Sequence, residues 1–224
     1  MRQIILDTET SGLDFEKDRI IEIGCLELID GVYTGKKYHR YYRPDNILIS
    51  QESQNIHGLD NEFLSKFESF DRKIEDFLLF INNSQMIIHN AQFDLNMINQ
   101  SLKRLSKTEI KRSSTICTLE IAKKKFPGSK NNLNALCRRF DINLDSRDKH
   151  GALTDSFLLL QVYNELLGGK QQKLELNLKN TVENHKQKFN FEKVNLPLID
   201  LDKSEIDAHL KMTKSIKNKI WQFE

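Results

Sequence analysis

Cysteine, long apolar runs and a surplus of charge of one sign are all scarce in this 224-residue chain, and each scarcity excludes something. The three cysteines, Cys25, Cys117 and Cys137, stand far apart and form no CxxC. An odd number without ligand spacing argues against a disulfide framework and against a zinc site. Small apolar residues buried in a reducing compartment are what remains. No apolar run approaches the ~18 residues a membrane span needs, and the opening MRQIILDTET is too short in apolar length for a secretory signal. The chain is therefore expected in the cytoplasm. The formal net charge is only +2, so bulk charge does not announce a nucleic-acid binder. Residues 170–224 hold 11 Lys against 8 acidic residues, which leaves 23 basic and 24 acidic residues in the first 169. A near-neutral body that handled nucleic acid would need positive charge from elsewhere, and bound divalent metal would supply it.

What is present is a core. Hydrophobic residues make up 38% of a 26.3 kDa chain, enough for one full-sized domain and a tail. QIILD (3–7) reads as a short strand and RIIEIGCLELI (19–29) as a second. Asp30-Gly31 signals a tight hairpin, with Val32 to Tyr42 returning as a third strand before Pro44. Ile74, Phe77, Leu78 and Ile81 recur at helical spacing, QMIIH (85–89) is a short buried strand, and Leu95, Ile98, Leu102 and Leu105 predict a helix. A strand near Ser114–Cys117, helices over Leu119–Phe126 and around Leu133–Phe140, and a last helix from about Ala152 to Leu167 follow, with Gly168-Gly169 as its stop. Three antiparallel strands and then strands alternating with helices predict an α/β fold, a mixed sheet flanked by helices. The body spans 1–169. Residues 170–200, rich in Lys, Gln, Asn and Glu, read as a flexible linker, and 201–224 as a short helical tail. Ser204 and Asp207 there imitate a capping box, and Ile206, Leu210, Thr213 and Ile220, with Trp221 beside them, fall near one face.

The chemistry starts with Asp7 and Glu9. Two residues apart on a strand, both carboxylates leave the same face. At a separation of roughly 6.5 Å they repel by about 2–3 kcal/mol at an effective dielectric near 20, and a cation beside them removes that cost. A DxE alone also occurs on solvent-facing strand edges. Asp94 follows QMIIH and lies near a helix start, where an acid also serves the helix dipole. Asp155 lies a turn inside the last helix among Ala152, Leu153, Phe157, Leu158 and Leu160, paired or turned to water. Four carboxylates on three separate elements suggest a hard-cation site of the Mg²⁺ kind, and two such ions suit phosphodiester hydrolysis. His150, with Gly151 next to it, precedes Asp155 by five residues and so belongs on the loop before the helix. Imidazole titrates near neutrality, which suits a general base for water. His39, His185 and His209 read as surface residues.

DTETSGL (7–13), IIHNAQFD (87–94) and HGALTD (150–155), in that order, resemble the three motifs of the DEDDh 3′→5′ exonucleases, with the HxxxxD spacing of the His-containing branch. The resemblance continues through RIIEIG, the GLD after His57, KFPGSKNNLNALC and KHGAL, covers residues 2–169, and is strongest to the proofreading subunits of bacterial DNA polymerase III. It implies a ribonuclease-H-like fold and two-metal hydrolysis, with Mg²⁺ or Mn²⁺, that releases 5′-nucleotides from a 3′ end. It implies that Asp7, Glu9, Asp94 and Asp155 hold metal, that His150 is the base, and that the substrate is a single-stranded or frayed DNA 3′ end. Glu52 and His57 occupy positions that contact the terminal nucleotide in that family, although an ordinary polar loop would read the same, and Thr10, Leu13 and Phe93 would line its base and sugar. Asp7, Glu9 and Asp155 would meet the substrate as well as metal. In the tail, Gln171, Leu174 and Leu176 resemble the QxxLxL/F peptide that docks on the sliding clamp, or form plain linker. The C-terminal amphipathic stretch would dock the polymerase catalytic subunit, or pack back on the body. Two other functions fit parts of the pattern: a stand-alone ribonuclease or oligonucleotide-trimming enzyme of the same family, which has no need of the tail, and a non-catalytic polymerase accessory, which has no need of mutually repelling acids.

Overall fold

The computed structural model describes residues 1–144, 149–169 and 202–215. The chain divides into two compact units, Met1–Leu174 and Glu175–Glu224. In the first, β1 (Arg2–Thr10), β2 (Ile20–Ile29) and β3 (Val32–Tyr41) form an antiparallel meander, and β4 (Gln85–Ile88) and β5 (Thr115–Cys117) add in parallel, giving the sheet order β3-β2-β1-β4-β5. The two-residue turn Asp30-Gly31 has positive φ at both positions, 50° and 80°. That backbone twist matches the flanking strands, so the hairpin forms where the dipeptide predicts it. The mixed sheet is the α/β fold expected from the order of strands and helices.

Alternation along β1 splits the core in two. Ile4 and Leu6 pack against α3 (Phe70–Ile81) and α4 (Ala91–Arg104), with Phe70, Phe77, Leu95 and Ile98 among their neighbours. Ile5 faces the other way, into the cluster formed with α5 (Thr118–Lys125), α6 (Leu133–Arg139) and α7 (Ala152–Leu167). β2 lies between β1 and β3 and is buried along nearly its whole length, which explains an apolar run broken only by Glu22 and Glu27 better than a half-exposed strand would. Two short helices, α1 (Gln51–His57) and α2 (Asn61–Leu64), fill the stretch the sequence leaves as a polar loop. Ser50 and Asp60 cap them by accepting from the Ser53 and Phe63 amides, as short polar side chains do at helix starts.

Gly24 shows how closely α7 approaches the sheet. A Cβ there would come within 2.4 Å of the Ala152 and Leu153 backbone. With only hydrogen in the way, the buried Ser156 hydroxyl donates to the Gly24 carbonyl at 2.9 Å. The first turn of α7 is thereby seated on β2, beside the end of β1.

The second unit contains α8 (Lys203–Ser215). Its start differs from the expected Ser204/Asp207 box. The Asp202 carbonyl accepts from the Glu205 and Ile206 amides, and the Ser204 hydroxyl lies 3.1 Å from the Asp202 carboxylate, so Asp202 is the capping residue. Ile206 and Leu210 are exposed along the helix, whereas Thr213 is buried. Its hydroxyl returns to the His209 and Leu210 carbonyls. His209 is exposed, as expected. His185, Gln171, Leu174, Leu176, Ile220 and Trp221 lie outside the described residues.

Candidate active site

β1 carries Asp7-Thr8-Glu9 at its C-terminal end. The split core fixes which way each points: Asp7 and Glu9 share the face of Ile5, toward α7, and Thr8 shares the face of Leu6, toward α4. Asp94 and Asp155 each lie one turn inside their helices and so approach β1 from opposite sides. The β1–β2 ladder shifts register between Glu9 and Thr10. An extra residue there increases local twist and re-aims side chains beside the site.

The distances bear out this convergence. The Thr8 hydroxyl donates to Asp94 Oδ1 at 2.8 Å. Nδ1 of His150 lies 3.3 Å from Asp155 Oδ2, with the His150 side chain 42% exposed and that of Asp155 only 4%. Ligand atoms of Glu9, His150 and Asp155 all fall within 4.8 Å of one another. Burial raises the Asp7 carboxyl well above its ordinary value, and the charges of Asp94, Glu9 and Asp155 add to it. Burial likewise lifts Asp94 from 3.8 to about 7, against the opposing hydrogen bonds from Thr8 and from backbone amides. Carboxylates driven this far toward protonation need a positive partner. Carboxylate oxygens with one imidazole match a hard divalent cation, so the residues fit the metal that the motifs imply.

The expected nucleotide-contacting residues surround the same end of β1. Thr10 is buried, and its hydroxyl donates to the Gly12 carbonyl at 2.7 Å, which makes it a brace of the turn that carries Leu13. Leu13 is 76% exposed. Phe93 is partly buried, its ring 5.6 Å from that of Phe15. Glu52 and His57 belong to α1 rather than to a loop. Five residues apart on a helix, they lie about 140° apart around its axis, with Glu52 exposed and His57 buried. His57 Nδ1 accepts from the Leu59 amide at 3.0 Å, which leaves the proton on Nε2, and burial lowers its pKa. The ring is a neutral N–H donor at pH 7. α1 is tied to the site at both ends: the Ser50 amide donates to the Ser11 carbonyl, and the His150 amide to the Ile56 carbonyl.

Three further features escape the motif reading. Thr8 sits between two motif acids, and strand alternation is the signal that would have turned it toward Asp94. His39 is not a free surface residue: its Nε2 lies 2.8 Å from Glu22 Oε1, because β3 pairs with β2 and brings residue 39 beside residue 22. His89, inside the second motif, lies 2.9 Å from the Thr118 hydroxyl through Nδ1, and burial drops its pKa to about 4. It is a neutral brace between β4 and α5.

A ribonuclease-H-like sheet with an acid cluster at the end of its central strands defines a nuclease of the exonuclease class, and the exonuclease family profile matches residues 4–163. Full-length relatives narrow this further. The chain is 45% identical over 189 residues to DNA polymerase III subunit epsilon of Rickettsia conorii, covering 83% of this chain and 82% of that protein. It is 39% identical to the subunit epsilon of Buchnera aphidicola subsp. Schizaphis graminum, covering 97% and 98%, and 38% identical to that of Escherichia coli K12, covering 75% and 72%. The chain belongs to the DNA polymerase III epsilon-subunit family of exonucleases. Among solved structures it is similar to exonuclease X in complex with 5′ overhanging duplex DNA, at a TM-score of 0.57 and 26% identity over 74% of this chain and 90% of that one. A zinc-bound Escherichia coli exonuclease I–single-stranded DNA complex superimposes at a TM-score of 0.64 with 16% identity over 76% of this chain and 41% of that one, a likeness of fold. No described helix is long and apolar enough to cross a membrane.

Proposed function

We propose that this chain is the proofreading exonuclease of a bacterial DNA polymerase III, acting in the cytoplasm to remove mispaired nucleotides from DNA 3′ ends by metal-dependent hydrolysis. The observation that carries this reading is the meeting of Asp7, Glu9, Asp94, Asp155 and His150 at one end of the sheet from three separate elements and a loop. Asp7, Glu9, Asp94 and Asp155 would hold two divalent ions, Mg²⁺ or Mn²⁺, which when bound supply Lewis-acid stabilisation of charge on the scissile phosphate. His150, half-exposed just before α7, takes the proton from the attacking water. Its contact with Asp155 keeps the ring at the edge of the site.

Thr8 orients Asp94 through its hydroxyl. Thr10 shapes the turn that offers Leu13, which with Phe93 would pack on the terminal base and sugar, a use that fits the exposure of Leu13. Glu52 and His57 reach the same nucleotide from opposite ends of α1, the His57 Nε2–H as a neutral donor. A single strand fits such a lining more cheaply than a paired end, because a mismatched terminus frays at lower cost. We assign residues 1–169 to the exonuclease domain, 170–200 to a linker, and 201–224 to the polymerase-docking tail, with Gln171, Leu174 and Leu176 as a clamp-binding peptide. The exposed Ile206 and Leu210 of α8 support a docking face, since burying each side chain contributes about 1.5–3 kcal/mol.

The test compares 5′-labelled primer–templates with matched and mismatched 3′ termini. Faster shortening of the mismatched end, one nucleotide at a time, is expected. Equal rates on the two ends would remove the proofreading reading, and stepwise loss from the 5′ end would remove the polarity.

A further inference from the structure

β2 places one more carboxylate beside the acid cluster. Glu22 is 3% exposed and stands directly opposite Glu9 in the β1–β2 register, so both side chains leave the same face of the sheet. Opposed like charges destabilise a strand pair, which makes a buried glutamate there costly unless something else requires it. It does not complete the candidate metal group: the ligand atoms that gather within 4.8 Å belong to Glu9, His150 and Asp155, and Glu22 Oε1 is committed to His39 Nε2 at 2.8 Å. Its other flank is Gly151, where a Cβ would lie 4.0 Å from both Glu22 oxygens. Gly151 is the N-cap of α7 and has no side chain to cap the helix. A carboxylate from β2 therefore sits against the turn that joins His150 to Asp155, at the positive end of that helix.

We propose that Glu22, held in place by His39, is a positioning residue of the site: it fixes the His150–Gly151 turn and the first turn of α7, and through them His150 and Asp155, relative to Asp7 and Glu9. Outer residues of this kind typically change metal affinity or activity 10–100-fold when replaced. The effect on hydrolysis rests on the exonuclease reading.

The experiment measures kcat and KM on a single-stranded oligonucleotide, and Mn²⁺ occupancy by electron paramagnetic resonance, for the wild type, Glu22→Gln, Glu22→Asp, His39→Phe and His39→Gln. Expected are kcat reductions of roughly 10–100-fold in Glu22→Gln, with KM within about twofold of the wild type and weaker Mn²⁺ occupancy. Glu22→Asp, which keeps the charge but shortens the reach, should also lose kcat. His39→Phe should move in the same direction, and His39→Gln, which keeps a donor, should recover part of the loss. Wild-type kcat and Mn²⁺ occupancy in Glu22→Asp and His39→Phe would overturn the proposal, even if melting temperatures fell. Should the Glu22 variants fail to fold, His39→Phe on the partly exposed β3 decides alone. A wild type that hydrolyses nothing would sink the exonuclease reading, and the Mn²⁺ comparison would still decide the positioning.

Discussion

Asp94→Asn should make the metal-free protein more stable while abolishing its activity. Asp94 is buried, and its carboxyl is lifted from 3.8 to about 7. A folded-state pKa above the unfolded value means that the native state binds the extra proton between those pH values. Its contribution to stability is full below about pH 4 and is lost as pH rises through about 7. At ~1.36 kcal/mol per pH unit the loss has an upper bound of about 4 kcal/mol. The Thr8 hydroxyl bond at 2.8 Å serves the charged form better than a neutral amide, so we expect a net gain of roughly 1–3 kcal/mol for the Asn variant in chelator at pH 8. For a domain of this size that is on the order of 3–10 °C in Tm. Thermal melts with chelator at pH 8 and at pH 5 measure it directly. The difference should shrink by more than half at pH 5, approach zero only below about pH 4, where the unfolded chain is protonated too, and reverse in Mg²⁺, which the wild type binds better. An Asn variant that melts below the wild type in chelator at pH 8 would refute the reasoning, because Asp94 would then be held by native partners rather than opposed by its surroundings.

His150→Gln should lower kcat by about 10²–10⁴-fold, the usual size of a general-base effect, while a Mn²⁺-induced rise in Tm persists; an unchanged kcat would assign the proton transfer elsewhere. Gly24→Ala should destabilise the fold by about 1–3 kcal/mol or more, since its Cβ meets the α7 backbone at 2.4 Å, and urea unfolding would measure it; a neutral result would mean that α7 is not seated as closely as Ser156 implies. Removing residues 170–224 should leave hydrolysis of single strands intact and abolish co-purification with the polymerase catalytic subunit. Loss of hydrolysis on truncation would place the tail in the nuclease itself.

Much of this architecture is legible in the chain because its signals are local. Asp30-Gly31 fixes the hairpin, an apolar stretch stopped by Gly168-Gly169 marks the last helix, found as Ala152–Leu167, and two-residue spacing puts Asp7 and Glu9 on one face. The expected sheet, three antiparallel strands followed by parallel ones, is the one found. What local signals miss is set by pairing across long sequence gaps. Glu22 meets His39 only because β2 and β3 are in register, and Gly24 matters only because α7, more than 120 residues later, lands on it. Thr8 reads as filler between two acids until the two-sided core shows that its face belongs to α4. The short helices α1 and α2 contain too few apolar residues for a period to emerge, so Glu52 and His57 look like loop. At α8 Ser204 and Asp202, two residues apart, both suit a cap, and Asp202 is the one the first turn uses.

The central claim is that the acid cluster is a metal-dependent centre that hydrolyses DNA from its 3′ end. The most direct measurement offers the purified protein a 5′-labelled primer–template with a mispaired 3′ terminus, in Mg²⁺ and in chelator, beside an Asp7→Ala/Glu9→Ala variant. Stepwise loss of single 3′ nucleotides is expected in Mg²⁺, with none in chelator and none by the variant. A folded wild type that leaves the primer intact in Mg²⁺ and in Mn²⁺, or a variant that digests it as well as the wild type, would contradict the account.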